Sequence, residues 1–370
     1  MDQLLQGILS LTPGQGIMFA IGGLLIWLAI SKEYEPTLLL PIGLSAILAN
    51  IPNSAAIGVD GEPGILTTLF DFGIRTEVFP LLIFVAIGAM IDFGPLLQNP
   101  KMLLFGAAAQ FGIFFTMCLA AALHFTLKEA ASIGIIGAAD GPTSIVVANR
   151  FAPHLLGPIT VAAYSYMSLV PIIQPPVIRL LTTKAERRIR MDSSQFRPVS
   201  QRTKIIFPIA VSLVAGLLVP SAAALIGMLM FGNLLRESGV VDRLSKGAQN
   251  ELANIVTLLL GISIGAVMTA DEFLDSRTLL ILGMGIIAFV FDTAGGVLFA
   301  KFLNLFLKHK INPMIGACGI SAFPMSGRVI YKMGLAEDPQ NHLLMQAISC
   351  NVGGQLGSVV AGGLILALVG

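Results

Sequence analysis

Charge is what this sequence has least of. Of its 370 residues only 12% are Asp, Glu, Lys or Arg, while 55% are hydrophobic and the mean hydropathy is +0.85. A soluble domain carries roughly 25% charged residues. The composition therefore excludes a soluble catalytic domain and describes an integral membrane protein. Cysteine is nearly absent too. Cys118, Cys318 and Cys350 stand far apart in apolar surroundings. That spacing excludes a disulfide framework and a zinc site, and leaves the three as buried small hydrophobes. No basic run precedes the first apolar segment, so no cleaved signal peptide is expected. There is no nucleic-acid motif, and no His/Cys cluster that would suit a transition metal.

The charge that is present is unevenly placed. A basic run of Lys184, Arg187, Arg188, Arg190, Arg197, Arg202 and Lys204 divides the chain. Before it, membrane spans are expected at 16–30, 37–49, 78–91, 101–127 and 159–181, the last interrupted at Gln174-Pro175-Pro176. After it, spans are expected at 205–219, 222–235, 252–268, 279–307 and 342–369. Each is apolar and near the length a bilayer requires, the second being short. Polar stretches at 53–75 and 237–250 allow surface helices, the first at 65–72. His124, His154, His309 and His342 fall near span ends and read as interfacial.

Two segments break the pattern. In 130–151, Asp140-Gly141-Pro142-Thr143-Ser144 interrupts an apolar run. Glycine and proline cannot continue a helix cheaply, but proline suits the start of a new one. Two half-helices should therefore meet at Asp140. Segment 311–328 is the second break, with Asn312-Pro313, Gly316, Ser321, Pro324 and Arg328. Broken backbone survives in lipid only where protein or a wet cavity satisfies it.

The breaks belong to an internal repeat. Ile87-Gly88-Ala89-Met90 returns as Ile264-Gly265-Ala266-Val267, 177 positions on, and Ile136-Gly137-Ala138 returns as Ile315-Gly316-Ala317, 179 positions on. Arg150 returns as Arg328 after 178, and Pro36 with Ile42-Gly43 returns as Pro220 with Ile226-Gly227 after 184. The expected domains are repeat 1 at 1–183, a basic cytoplasmic linker at 184–204 and repeat 2 at 205–370. The positive-inside rule puts the linker, Arg236, Arg243, Lys246, Lys301, Lys308 and Lys310 inside, and Asp271, Glu272 and Asp275 outside. If the broken segments are re-entrant, each half has an odd number of crossings and the repeats are inverted. If they span, the repeats are parallel and Arg328 and Lys332 fall outside. The charge count favours the re-entrant form. The expected fold is all-α and polytopic, with two inverted-topology repeats whose half-helices meet near the bilayer midplane. That pattern marks ion-coupled transport.

The joints hold the chemistry. Asp140 is an intramembrane carboxylate, which is a functional-site hypothesis by default. Around it the pattern offers Thr143, Ser144, Asn312, Ser321, Ser326, Asn351 and Ser358. Such oxygen-rich sets suit a hard monovalent cation, by analogy with other hard ions. Against that, Asn351, Ser321 and Ser358 could simply bond neighbouring helices, Gly316 could serve close packing, and Arg328 could cap a half-helix. Asp292 is a second intramembrane carboxylate, read as paired with a polar neighbour. Tyr164 and Tyr166 stand at i and i+2 and point to different faces, either as an aromatic belt or with one phenol handling a proton at the joint.

Together, Gly137-Ala-Ala-Asp140-Gly-Pro-Thr143, Tyr164-Ser-Tyr166 through Pro171 and Gln174-Pro-Pro, the basic linker, Asn312 to Arg328, and Asn351 to Ser358 resemble the beta subunit of the biotin-dependent sodium-pumping decarboxylases. That family acts on oxaloacetate, methylmalonyl-CoA or glutaconyl-CoA. The resemblance covers essentially the whole chain, and the short length is closer to the methylmalonyl-CoA and glutaconyl-CoA types. It implies decarboxylation of carboxybiotin coupled to sodium export, with proton consumption, in the bacterial inner membrane. It implies sodium ligation by Asp140, Asn312 and Asn351. It implicates Gly316, Ser321, Ser358 and Arg328 in sodium and proton handling or carboxybiotin contact, and gives Tyr164 and Tyr166 functional roles. The partners it implies are an alpha carboxyltransferase subunit, a biotin carrier, small gamma and delta membrane subunits, lipid and further copies of the chain. A secondary sodium antiporter or sodium-coupled solute transporter on a similar fold is the alternative that pattern alone leaves open.

Overall fold

The computed structural model describes residue 7 and residues 9–33, 35–59, 61–191, 199–322 and 324–370. Arg197 of the linker and Asp60 of the polar loop lie outside the described residues. The described chain is a bundle of helices with one small hairpin, β1 (Gly58–Val59) and β2 (Glu62–Pro63). Six helical segments are long and apolar enough to cross a membrane, and up to eight if each of two bent pairs counts as one.

Helix α1 (Pro13–Ser31) starts at a capping box: Gln15 N–H donates to the Thr12 side chain and Thr12 N–H donates back to the Gln15 side chain. Such reciprocal bonds satisfy two orphaned amides of the first turn. Helix α2 (Pro36–Ala49) packs beside it and carries Pro41 within. Helix α3 (Ile65–Phe70) runs on as a π-turn over Asp71–Arg75, and α4 (Val78–Met90) leaves it at 61°. The stretch expected as a surface helix is thus the first limb of a bent pair.

After the short α5 (Gly94–Gln98), the expected span 101–127 appears as α6 (Leu103–Ala109) and α7 (Phe111–Ala122), divided by a turn at Gln110. The first broken segment is α8 (Leu127–Gly134), a 3-10 turn over Ile135–Ala138, and α9 (Gly141–Phe151). Span 159–181 becomes α10 (Leu156–Ser168) and α11 (Val170–Leu181), bent by 68°. The bend falls at Leu169, not at Gln174-Pro175-Pro176, which α11 carries in its interior. Pro171 explains this placement. It offers no N–H to the Met167 carbonyl and its ring clashes there, so the helix breaks just before it and restarts with proline in its first turn.

Helix α12 (Lys184–Arg187) begins the linker, and α13 (Gln201–Leu218) and α14 (Ala223–Glu237) open the second half. The polar stretch 237–250 is not a separate surface helix. Its α15 (Asp242–Gly247) passes through a π-turn at Ala248–Leu252 into α16 (Ala253–Ile264), one continuous segment. The short α17 (Ala270–Phe273) precedes α18 (Ser276–Phe306), whose 31 residues make it the longest helix. At 1.5 Å per residue it runs about 46 Å, well beyond the ~30 Å hydrocarbon core. The second broken segment is a seven-residue 3-10 stretch, Pro313–Gly319, followed by α19 (Met325–Glu337). Helix α20 (Leu344–Val369) closes the chain.

Each broken segment has its two ends tied together. Glu129 at the start of the first accepts from His154 just after its end, at 3.0 Å, and from Arg277 at 3.5 Å. At the second, Asn312 donates to the carbonyls of Arg187 and Ile189, both at 2.9 Å. The same Arg187 bonds Glu337 at 2.7 Å, and its carbonyl accepts from Asn341 at 3.1 Å. The two tips meet inside the bundle, where Ser321 N–H donates to the Ala138 carbonyl at 3.2 Å. Helix α18 braces both. Gly296 packs so closely on Gly316 that a Cβ on either would overlap the other's carbonyl, and one turn earlier Asp292 lies against Gly137. Of the cysteines, Cys318 and Cys350 are buried, but Cys118 is exposed on the outer face of α7.

Candidate functional site

The site forms where the first broken segment turns. Ala139 adopts a left-handed conformation (φ +52) and Asp140 is extended, so the chain swings round before Gly141 and Pro142 start α9. Left-handed backbone costs a non-glycine residue roughly 1–2 kcal/mol, and such strain concentrates where function needs a fixed geometry. The turn points the Asp140 carboxylate inward, where it is 3% exposed.

Three side chains converge on one of its oxygens. Asp140 Oδ2 accepts from Thr143 Oγ1 at 2.8 Å, Ser358 Oγ at 3.0 Å and Gln355 Nε2 at 3.1 Å. Thr143 comes from the first turn of α9, and Gln355 and Ser358 are one turn apart on α20. Charge-assisted bonds are stronger than neutral ones, and here they hold a carboxylate at membrane depth without a basic side chain. Ser144 Oγ bonds the Asp140 carbonyl at 2.9 Å and completes the turn.

Asp140 opens on a cavity of about 200 Å³. Tyr164 and Ser321 share its wall. The Tyr164 ring lies against Gly141, where any Cβ would overlap it, and its buried hydroxyl has no partner among the described residues. Ser321 Oγ donates to the Gly354 carbonyl at 3.1 Å. Asn351, one turn before Gln355 on α20, donates to the carbonyls of Ile320 (2.6 Å) and Cys318 (3.3 Å), leaving its Oδ1 buried and unpartnered. Both carbonyls belong to the buried tip of the second broken segment, so Asn351 and Ser321 fasten that segment to α20 beside Asp140.

Not every expected residue comes to this point. Asn312 sits at the base of the second segment, bonded to the linker. Gly316 is occupied with Gly296. Tyr166 turns to the other face of α10 and donates to the Leu282 carbonyl of α18. Arg328 is exposed on α19 and makes no side-chain hydrogen bond or ion pair among the described residues. Asp292 has no polar side-chain partner among the described residues. Its carboxylate instead lies against Gly112 at the start of α7, just past the turn at Gln110. A carboxylate at a helix N-terminus is favourably placed.

Three glutamines escaped the sequence reading as bonding partners. Gln355 bonds Asp140. Gln174 Nε2 donates to the Ala317 carbonyl at 2.8 Å while its Oε1 accepts from Ser326. Gln110 Nε2 donates to the carbonyls of Gly106 and Gly319. The signal available was the unwound backbone itself, whose carbonyls must find donors in a buried setting. On the linker side, Arg190 bonds Asp338 at 2.6 Å and holds that carboxyl below its ordinary range.

Comparison with known proteins matches residues 14–369 to the family described as the Na+-transporting oxaloacetate decarboxylase beta subunit. The oxaloacetate decarboxylase beta chain 2 of Salmonella typhi is 48% identical, with 100% of this chain and 99% of that protein covered. The glutaconyl-CoA decarboxylase subunit beta of Acidaminococcus fermentans is 51% identical over 98% of this chain and 96% of its own length. The methylmalonyl-CoA decarboxylase subunit beta of Veillonella parvula is 51% identical over 98% and 95%. With a family match across nearly the whole chain and a multi-pass helical bundle to carry it, this chain belongs to the family of beta subunits of sodium-transporting decarboxylases.

Proposed function

We propose that this chain decarboxylates carboxybiotin presented by a partner subunit and couples that step to sodium export. The N–C bond of carboxybiotin breaks and CO2 leaves. The electron pair left on the ureido nitrogen takes a proton. The observation that carries the reading is Asp140, a buried carboxylate held by three neutral donors at the meeting point of two broken segments. Sodium is the cargo. The oxygens around its path are those of Asp140, Ser321 and Ser358, with the unpartnered Asn351 Oδ1 at the second segment. Asn312 and Gly316 act by seating that segment on the linker and on α18. Tyr164 is the proton-handling tyrosine, since its phenol is unpartnered at the joint, and Tyr166 positions α10. Arg328, exposed and unpaired, meets the carboxylate of carboxybiotin.

The same reading gives the halves inverted topology. The paired ends of the first segment lie with Arg277, those of the second with the basic linker, which supports re-entry from opposite faces. The linker then faces the cytoplasm, in the bacterial inner membrane. There it meets the alpha carboxyltransferase subunit and its biotin carrier, with small gamma and delta subunits alongside in the membrane. The relatives' names as beta chains support a multi-subunit assembly. An antiporter has no use for such partners.

In the reconstituted complex, Asp140→Asn should abolish both sodium-dependent decarboxylation and sodium-22 uptake into proteoliposomes. Full activity of that variant would sink the proposal.

A further inference from the structure

The cavity that reaches Asp140 has two unlike walls. One is the joint itself, with Tyr164 and Ser321. The other is formed by α2, α4 and Thr257 of α16, and it carries one carboxylate, Glu35. Glu35 is the residue before α2, with left-handed backbone (φ +36) and no side-chain cap bond to the helix it precedes. Its carboxylate is half-buried and has no hydrogen bond or ion pair among the described residues. A glutamate in strained backbone that neither caps its helix nor pairs with a base is not explained by local structure.

Its neighbours in the cavity supply an explanation. Tyr164, whose buried hydroxyl has no partner among the described residues, lines the cavity together with Asp140 and Glu35. Met90 lines the same cavity, and its carbonyl is bonded by Arg236, so the Glu35 rim lies at the end of α4 that meets α14. Two carboxylates and an unoccupied phenol oxygen along one low-dielectric cleft focus a negative potential, which raises the local cation concentration.

We propose that Glu35 is an outer station for the monovalent cation on its way to Asp140. The cation is drawn in by Glu35, passes the Tyr164 phenol oxygen and settles at the joint. The inference rests on the reading of Asp140 as the cation's inner site.

The test uses the assembled decarboxylase in proteoliposomes, with sodium chloride as the probe, and reads the sodium concentration for half-maximal decarboxylation alongside the maximal rate. Glu35→Gln should raise the half-saturating sodium about ten-fold, a larger change than it makes in the maximal rate. Glu35→Asp, which keeps the charge on a shorter stem, should restore it to within about three-fold. Glu33→Gln, two residues away and exposed, should leave it at the wild-type value. All values are read per assembled complex, so a lower yield of one variant does not affect the comparison. Unchanged half-saturation in Glu35→Gln overturns the proposal. So does a shifted pH profile at constant sodium half-saturation, which marks a proton station instead. Sodium dependence persisting in Asp140→Asn overturns the inner-site reading independently of either Glu35 variant.

Discussion

Tyr164 and Tyr166 stand two positions apart and do different work. Tyr166 gives its hydroxyl to the Leu282 carbonyl, while the Tyr164 hydroxyl is buried without a partner. Replacing each with phenylalanine should separate the roles. Tyr166→Phe loses a part-buried hydrogen bond onto α18, so thermal unfolding in detergent should show a loss of about 1 kcal/mol. Tyr164→Phe loses no bond and should match or exceed wild-type stability, while decarboxylation falls. Normal activity in Tyr164→Phe would remove the phenol from proton handling. Asp140 was legible in the sequence because an ionisable group in an apolar run is costly enough to stand out. Gln355 was not, because a lone amide on a membrane helix looks the same whether it bonds a neighbouring helix or a carboxylate. The place of Asn312 was also hidden. A repeat offset aligns positions along the chain but does not say that the residue's amide spends its two N–H groups on linker carbonyls.

At the scale of elements, the breaks at Asp140 and after Asn312 could be read from glycine and proline placement. The turn at Gln110 could not. No proline marks it, Gly112 two residues on is one of several glycines in apolar spans, and the Asp292 carboxylate waiting at the new helix start lies on a distant helix. The proline pair at 175–176 pointed to the wrong place because a third proline, Pro171, sits earlier and breaks the helix first. Helix α18 has the clearest test. Gly316→Ala pushes a methyl group into the Gly296 backbone, and overpacking of that kind costs about 1–3 kcal/mol or more. Gly227→Ala, with nothing within 4 Å of the added carbon, should be neutral or slightly stabilising. Thermal shift of the two variants side by side is the measurement. Equal stability would mean that the second segment can move off α18 at no cost.

For the whole molecule, the proposal of inverted halves predicts labelling from opposite sides. In a Cys118→Ser background, Pro153→Cys follows the first broken segment and Gln340→Cys follows the second, and both positions are exposed. A membrane-impermeant maleimide added to intact cells should label Pro153→Cys alone, and added to inverted vesicles should label Gln340→Cys alone. Labelling of both from one side would make the repeats parallel. The sequence offset points to a duplication, and the two joints it pairs differ in chemistry. Shifting Asp140 by the 179 positions that relate Gly137 to Gly316 gives Gly319, so only the first joint carries a carboxylate.

The bond from Ser321 N–H to the Ala138 carbonyl bears on how freely this sequence can drift. Both partners are main-chain groups, so exchanging the side chain at either position leaves donor and acceptor in place. Only proline at 321 deletes the donor. The alignment of the two hairpin tips is therefore not recorded in the identities of residues 138 and 321. Descendant sequences that differ at both can keep the same contact, and a search for co-varying pairs would miss it.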